Sequence, residues 1–175
     1  MHVFNNLTEY GLISKFLHWV SAILLFAQIP LGFYLVDLDF GPERLSIENI
    51  HVAVGLGLFY LVILRLCYKI FNPTPKLQPS IFKGQKFLAK LNHVLLYVTI
   101  LLITFSGILK KLFDGENLVI FFREIKIHEN YELTELFYDI HVFSNYLMIL
   151  FIIIHVTAVI IHKLFFNDNL LKKIL

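Results

Sequence analysis

The residues best suited to chemistry are histidines. His18, His51, His141 and His155 lie inside, or at the edge of, uncharged apolar runs of membrane-spanning length, and the fourth run also carries His162. Imidazole is costly in hydrocarbon and usually marks a functional site there. Fourteen residues separate His141 from His155 and seven more reach His162, multiples of seven that nearly preserve helical face. At a rise of about 1.5 Å per residue, His141 and His155 stand roughly 21 Å apart along one stripe. That separation suits two stacked cofactor sites.

The elements that must position these side chains are membrane helices. The chain has 175 residues, 58% of them hydrophobic and 18 of them phenylalanine, with a mean hydropathy of +0.73, a composition whose solvent is lipid. The longest charge-free stretches cover residues 16–36, 49–64, 91–109 and 140–162. A core of about 30 Å takes about 20 residues to cross, and Arg65 with Tyr68 can snorkel to complete the second run. The first run is too long for a signal-peptide core and lacks a small-residue cleavage site, so it reads as a span. The expected fold is an all-α integral membrane protein, a single domain over 1–175, arranged as an up-down-up-down four-helix bundle.

The connections punctuate that plan. The loop at 37–48 contains Gly41 and Pro42 and makes helices 1 and 2 antiparallel neighbours. Asn72-Pro73-Thr74-Pro75 and Pro79 end helix 2 and keep the next link extended. The longest connection, at 110–138, ends in a segment, 132–137, suited to a short amphipathic lead into helix 4. Cys67 is the lone cysteine, which excludes an internal disulfide, a thiolate-held iron–sulfur cluster and covalent c-type haem. Any redox cofactor must be held non-covalently.

Charge assigns the sides. With the N-terminus inside, the inner segments hold Lys15, Arg65, Lys69, Lys76, Lys83, Lys86, Lys90, Lys163, Lys172 and Lys173 against Glu9 and Asp168. The outer loops hold Arg44, Lys110, Lys111, Arg123 and Lys126 against eleven carboxylates. By the positive-inside rule both termini are cytoplasmic. No nucleic-acid partner is expected of such a chain.

Alternating helix direction then sorts the histidines by depth. His18 and His155 fall towards the inner side, and His51 and His141 towards the outer side. Two imidazoles from different helices at one depth are what bis-histidine ligation of a planar macrocycle requires. His93, near the inner end of helix 3, could replace His18 or His155. Small residues one turn from a ligand would leave room for a ring, and Gly55, Ala22 and Ala158 stand at such offsets from His51, His18 and His155.

Phe16-Leu17-His18-Trp19, Ile50-His51-Val52, Asn72-Pro73-Thr74-Pro75, Asn92-His93-Val94-Leu95-Leu96-Tyr97, and His155 with His162 followed by Asn167-Asp168-Asn169 together resemble the bacterial di-haem cytochrome b561 family over nearly the whole chain. The resemblance implies two haem b groups, the inner on residues matching His18 and His155 and the outer on residues matching His51 and His141. It also implies a bacterial inner-membrane location and exchange with ubiquinone, with His93 and His162 matching polar positions near the quinone. Members are similar to superoxide oxidases, which oxidise superoxide outside and reduce ubiquinone.

Two axial histidines would fill the iron coordination sphere and leave outer-sphere electron transfer as the chemistry. Steering superoxide towards acidic outer loops would need Arg44, Lys110, Lys111, Arg123 and Lys126 to form a local basic funnel. Two alternatives keep other functions open. One is a membrane-anchor cytochrome b subunit, similar to the partners of hydrogenases or formate dehydrogenases, taking electrons from a redox protein docked on the acidic loop. The other is a haem-free divalent-cation transporter, disfavoured because no Asp or Glu lies between the ends of the four runs.

Overall fold

The computed structural model describes residues 2–75, 83–166 and 170–175. Lys76, Pro79 and the Asn167-Asp168-Asn169 segment therefore lie outside the described residues. Four helices carry the fold: α1 (Leu12–Asp37), α2 (Pro42–Phe71), α3 (Gln85–Phe113) and α4 (Tyr131–Phe165). All four are long and apolar enough to cross a membrane. Each outruns its charge-free stretch because polar end turns stay helical past the apolar layer, where backbone hydrogen bonds remain favourable.

Local chemistry explains the ends. Pro42 opens α2 where its missing N–H is no loss. At the other end Asn72, before Pro73, leaves helical geometry while its side-chain amide donates to the Tyr68 carbonyl at 3.0 Å. Asn130 caps α4 by accepting from the Leu133 N–H at 3.1 Å. The proposed lead at 132–137 is thus the first turns of α4 itself. Both termini lie at one end of the bundle, here called the terminal end, where a short 3₁₀ turn, η1 (Leu170–Lys173), precedes the C-terminus. Trp19 Nε1 donates to the Ile174 carbonyl at 2.9 Å, and Lys15 Nζ bonds the Leu175 carbonyl.

Helix packing runs in a chain. α3 lies most closely along α4, α1 packs on α2 and α2 on α3, while α1 and α2 meet α4 with little backbone contact. The buried centre is formed by Val62, Ile100 and Met148, with Leu25, Ile29, Leu96 and Ile152 around it. Met148, 1% exposed, stands seven residues from both His141 and His155, so this apolar plug separates the two histidine levels. In lipid, close packing rather than hydrophobic expulsion holds such helices together, which suits the small buried Thr99, Thr104, Ser106 and Ser144 at the interfaces.

The long loop at the far end holds an unforeseen element. A two-stranded antiparallel hairpin, β1 (Leu118–Ile120) with β2 (Arg123–Ile125), turns through Phe121 and Phe122, both at positive φ (49° and 63°). Two left-handed residues make a primed turn, normally built from Asn-Gly. The Phe121 N–H donates to the Tyr60 hydroxyl at 3.0 Å, and their rings meet edge-on at 5.2 Å. Docking on α2 holds a turn that local propensity disfavours.

Candidate functional site

At the far-end level, α2 and α4 present His51 and His141 to each other with ring centroids 6.1 Å apart. Two metal–imidazole bonds of about 2.0 to 2.1 Å, plus roughly 1 Å from each nitrogen to its ring centre, place two axial imidazoles about 6 Å apart across a metal. The pair has the spacing of trans ligands. Its support comes from α1 and α3, which place no imidazole at this level. His141 Nδ1 donates to the Ile103 carbonyl at 2.8 Å, which fixes the proton there and leaves Nε2 as the free base. The same carbonyl accepts from Ser106 Oγ at 3.0 Å.

Glycine makes that approach possible. A Cβ on Gly107 would stand 3.0 Å from His141 Cε1 and 3.1 Å from Nδ1. A Cβ on Gly32 would stand 3.2 Å from His51 Cε1. A side chain at Gly107 would require the imidazole or α3 to give by a few tenths of an ångström, against the ring's bond to Ile103, four residues earlier on the same helix face. One turn from Gly32, Gln28 donates to the His51 carbonyl at 2.6 Å. Gly55, expected beside His51, instead faces Gln28 at an ordinary 3.5 Å. Buried His51 Nδ1 has no hydrogen-bond partner among the described residues.

The terminal-end level is built differently. It brings together three imidazoles from three helices: His18 of α1, His93 of α3 and His155 of α4. The rings of His93 and His155 are 5.3 Å apart and nearly perpendicular. His93 Nδ1 donates to the Ala89 carbonyl at 2.7 Å, leaving its Nε2 free. His18 has the opposite polarity. Its Nδ1 lies 2.8 Å from Arg65 Nη2, and a guanidinium can only donate, so Nδ1 accepts and the neutral ring carries its proton on Nε2.

Arg65 is the residue whose role the sequence concealed. Beyond snorkelling, it holds His18, lies over the Tyr97 ring at 5.3 Å and is within electrostatic reach of His93 and His155. Lys69, one turn on, sits over the same ring at 4.6 Å. Tyr10, just outside α1, joins this cluster; burial and then Tyr97 push its phenol up, against the pull of Arg65. His162 lies nearer the chain end, with Nε2 3.1 Å from Gln85 Nε2. Gln85 precedes His93 by eight residues, so His93 and His162 occupy levels about 12 Å apart.

The basic funnel that steering superoxide would need at the far end does not form from Lys110, Lys111 and Arg44. Lys111, 5% exposed, bridges Glu48 at 2.9 Å and also contacts Glu116. Lys110 pairs with Asp114 at 2.7 Å, and Arg44 donates to the Leu35 and Leu38 carbonyls at 3.0 and 2.6 Å. The ends of the helices consume these charges. Among the described residues no group of three or more His, Cys, Asp or Glu side chains converges to hold a bare metal ion.

The model of the prokaryotic cytochrome b561 family matches residues 9–175. The chain belongs to the prokaryotic cytochrome b561 family. It is therefore a multi-pass bacterial membrane protein of the b-type cytochrome class, for which haem b and electron transfer are the common ground. Among curated relatives it is similar to cytochrome b561 homolog 2 of Escherichia coli (strain K12), 29% identical over 120 residues, covering 67% of this chain and 64% of that protein. The match thus spans less than two thirds of that relative's length.

The residues of the far-end level fit a haem: the spacing of His51 and His141, the tautomer set by Ile103 and the clearance at Gly32 and Gly107 all suit an iron bound between two imidazoles.

Proposed function

We propose that this chain is a di-haem b-type cytochrome of the bacterial inner membrane that carries single electrons between its far, periplasmic face and ubiquinone, with superoxide as donor. The observation that carries the reading is the 6.1 Å facing pair of His51 and His141, each seated on a glycine of a neighbouring helix. His51 and His141 would hold one haem iron, and His155 with His18 the other, His93 being the competing ligand at that level. Haem b held between these histidines would supply one-electron cycling between ferric and ferrous iron.

The chain's own residues do the rest. Gly107 and Ile103 aim His141, and Gly32 and Gln28 hold His51. The Val62, Ile100 and Met148 plug keeps water out of the layer between the two levels. His93 or His162 would contact a quinone carbonyl from the terminal, cytoplasmic side and help supply its protons. Oxidation of two superoxide ions to two dioxygen molecules releases the two electrons that, with two protons, convert ubiquinone to ubiquinol. A pyridine haemochrome count tests the core of the proposal. Two haem b per chain are expected, and none would overturn it. Stopped-flow mixing with superoxide and a short-chain ubiquinone then tests the donor, through ubiquinol formation.

The engagement of Lys110, Lys111 and Arg44 favours a second reading. With Lys110 and Lys111 paired to carboxylates and Arg44 turned to backbone carbonyls, the far face steers a small anion weakly, and its surplus of carboxylates suits a basic redox protein. In that reading the chain is a membrane anchor for such a partner. Co-purification of a redox subunit, with no ubiquinol formed from superoxide, would select it.

A further inference from the structure

Arg65 and Lys69 are cations one turn apart on α2, both set over the Tyr97 ring, and neither has a carboxylate within ion-pair distance among the described residues. Elsewhere the chain treats its embedded cations differently. Lys111 has two carboxylates and Arg44 two helix-end carbonyls. A guanidinium at the edge of an apolar layer needs an anion, and among the described residues Arg65 meets a neutral ring nitrogen and a π face. Its bond to His18 also holds the His18 proton on Nε2, whereas His93 and His141 keep Nε2 free.

We propose that Arg65 and Lys69 are the carboxylate anchor for the tetrapyrrole held at the terminal end of the bundle, and that moving Arg65 from His18 Nδ1 to a propionate frees His18 as an iron ligand. The proposal rests on the haem reading above. The Tyr97 ring keeps both cations on one side of α2 while they lack an anion. Two cations spaced by one helical turn match a ligand with two flexible carboxylates on one edge. When Arg65 turns to a propionate, His18 Nδ1 loses its donor and can carry the proton, so Nε2 becomes the base. Carboxylate binding and ligand competence are then linked, and His93 stands by as the imidazole already in the competent tautomer.

The test titrates the full-length chain, produced without haem, with haem b and with its dimethyl ester, which differs only in lacking the two carboxylate charges. In the wild type, one of the two sites is expected to bind the ester 10-fold to 100-fold more weakly than haem b, and the His51–His141 site serves as an internal control. The double variant R65M/K69M should weaken haem b at that site by a similar factor and leave ester affinity unchanged. R65K should recover part of the loss. Equal wild-type affinity for both tetrapyrroles at both sites overturns the proposal, as does an R65M/K69M loss of equal size for both. Reduced retention of phosphatidylglycerol in R65M/K69M, with ester discrimination intact, overturns it in favour of a lipid headgroup. A wild type that binds no tetrapyrrole at all defeats the haem reading itself, a result distinct from these.

Discussion

The two histidine levels of this bundle solve one problem by different means. At the far end, two imidazoles face each other at the spacing of trans ligands, each held by backbone: a glycine surface on α1 or α3 and, for His141, the Ile103 carbonyl. At the terminal end three imidazoles gather, and one of them is tied to a guanidinium in the wrong tautomer. Backbone contacts cannot be redistributed without moving a helix, whereas a guanidinium changes partners by rotating its side chain. The far-end site is therefore pre-organised, and the terminal-end site is adjustable.

The largest effects should come from the histidines proposed as ligands. His51→Ala or His141→Ala is expected to halve the haem count, since no third imidazole lies at that level to substitute. His18→Ala should lose less than a full haem if His93 takes its place, and the double variant H18A/H93A should lose it entirely. A single His18→Ala that removes one whole haem would show that the adjustable level has no spare ligand. Low-spin electron paramagnetic resonance signals, read beside the haem count, assign each loss to a level.

Next come the glycine seats. Gly107→Ala places a methyl group 3.0 Å from the His141 ring, a clash that must move the imidazole or α3. The far-end haem should dissociate on detergent dilution while the terminal-end haem stays. Gly32→Ala, at 3.2 Å, should show the same selectivity more weakly. Equal loss at both levels would remove the distinction between the two sites.

A smaller, structural effect is expected at Lys111. Lys111→Met leaves Glu48 without its buried partner and should destabilise the fold by about 3 kcal/mol, seen as a lower melting temperature. The double variant K111M/E48Q should regain part of that. An unchanged melting temperature, with slower oxidation of superoxide, would restore Lys111 to a steering role. The smallest effect belongs to the hairpin, where replacing Phe121-Phe122 by Asn-Gly relieves two left-handed residues. A gain of about 1 kcal/mol is expected, offset by the lost Tyr60 contact, with haem content unchanged.

The sequence by itself determined the four spans, their alternation and the depth of each histidine, because the rise per residue is fixed and apolar runs must match the bilayer. From that alone His51 and His141 had to share a level, and His155 had to lie with His18 and His93. It could not choose among the last three, show Gly32 and Gly107 rather than Gly55 against the imidazoles, or reveal that Lys110, Lys111 and Arg44 are already engaged. Nor did its turn signals report the hairpin, since Phe-Phe is a poor primed turn held by a contact with Tyr60. These belong to the tertiary structure, for one reason. Depth along a helix follows from local geometry, but which atoms meet across two helices depends on their rotation and offset. Only the packed bundle puts a carbonyl on Nδ1 of His141 and a guanidinium on Nδ1 of His18.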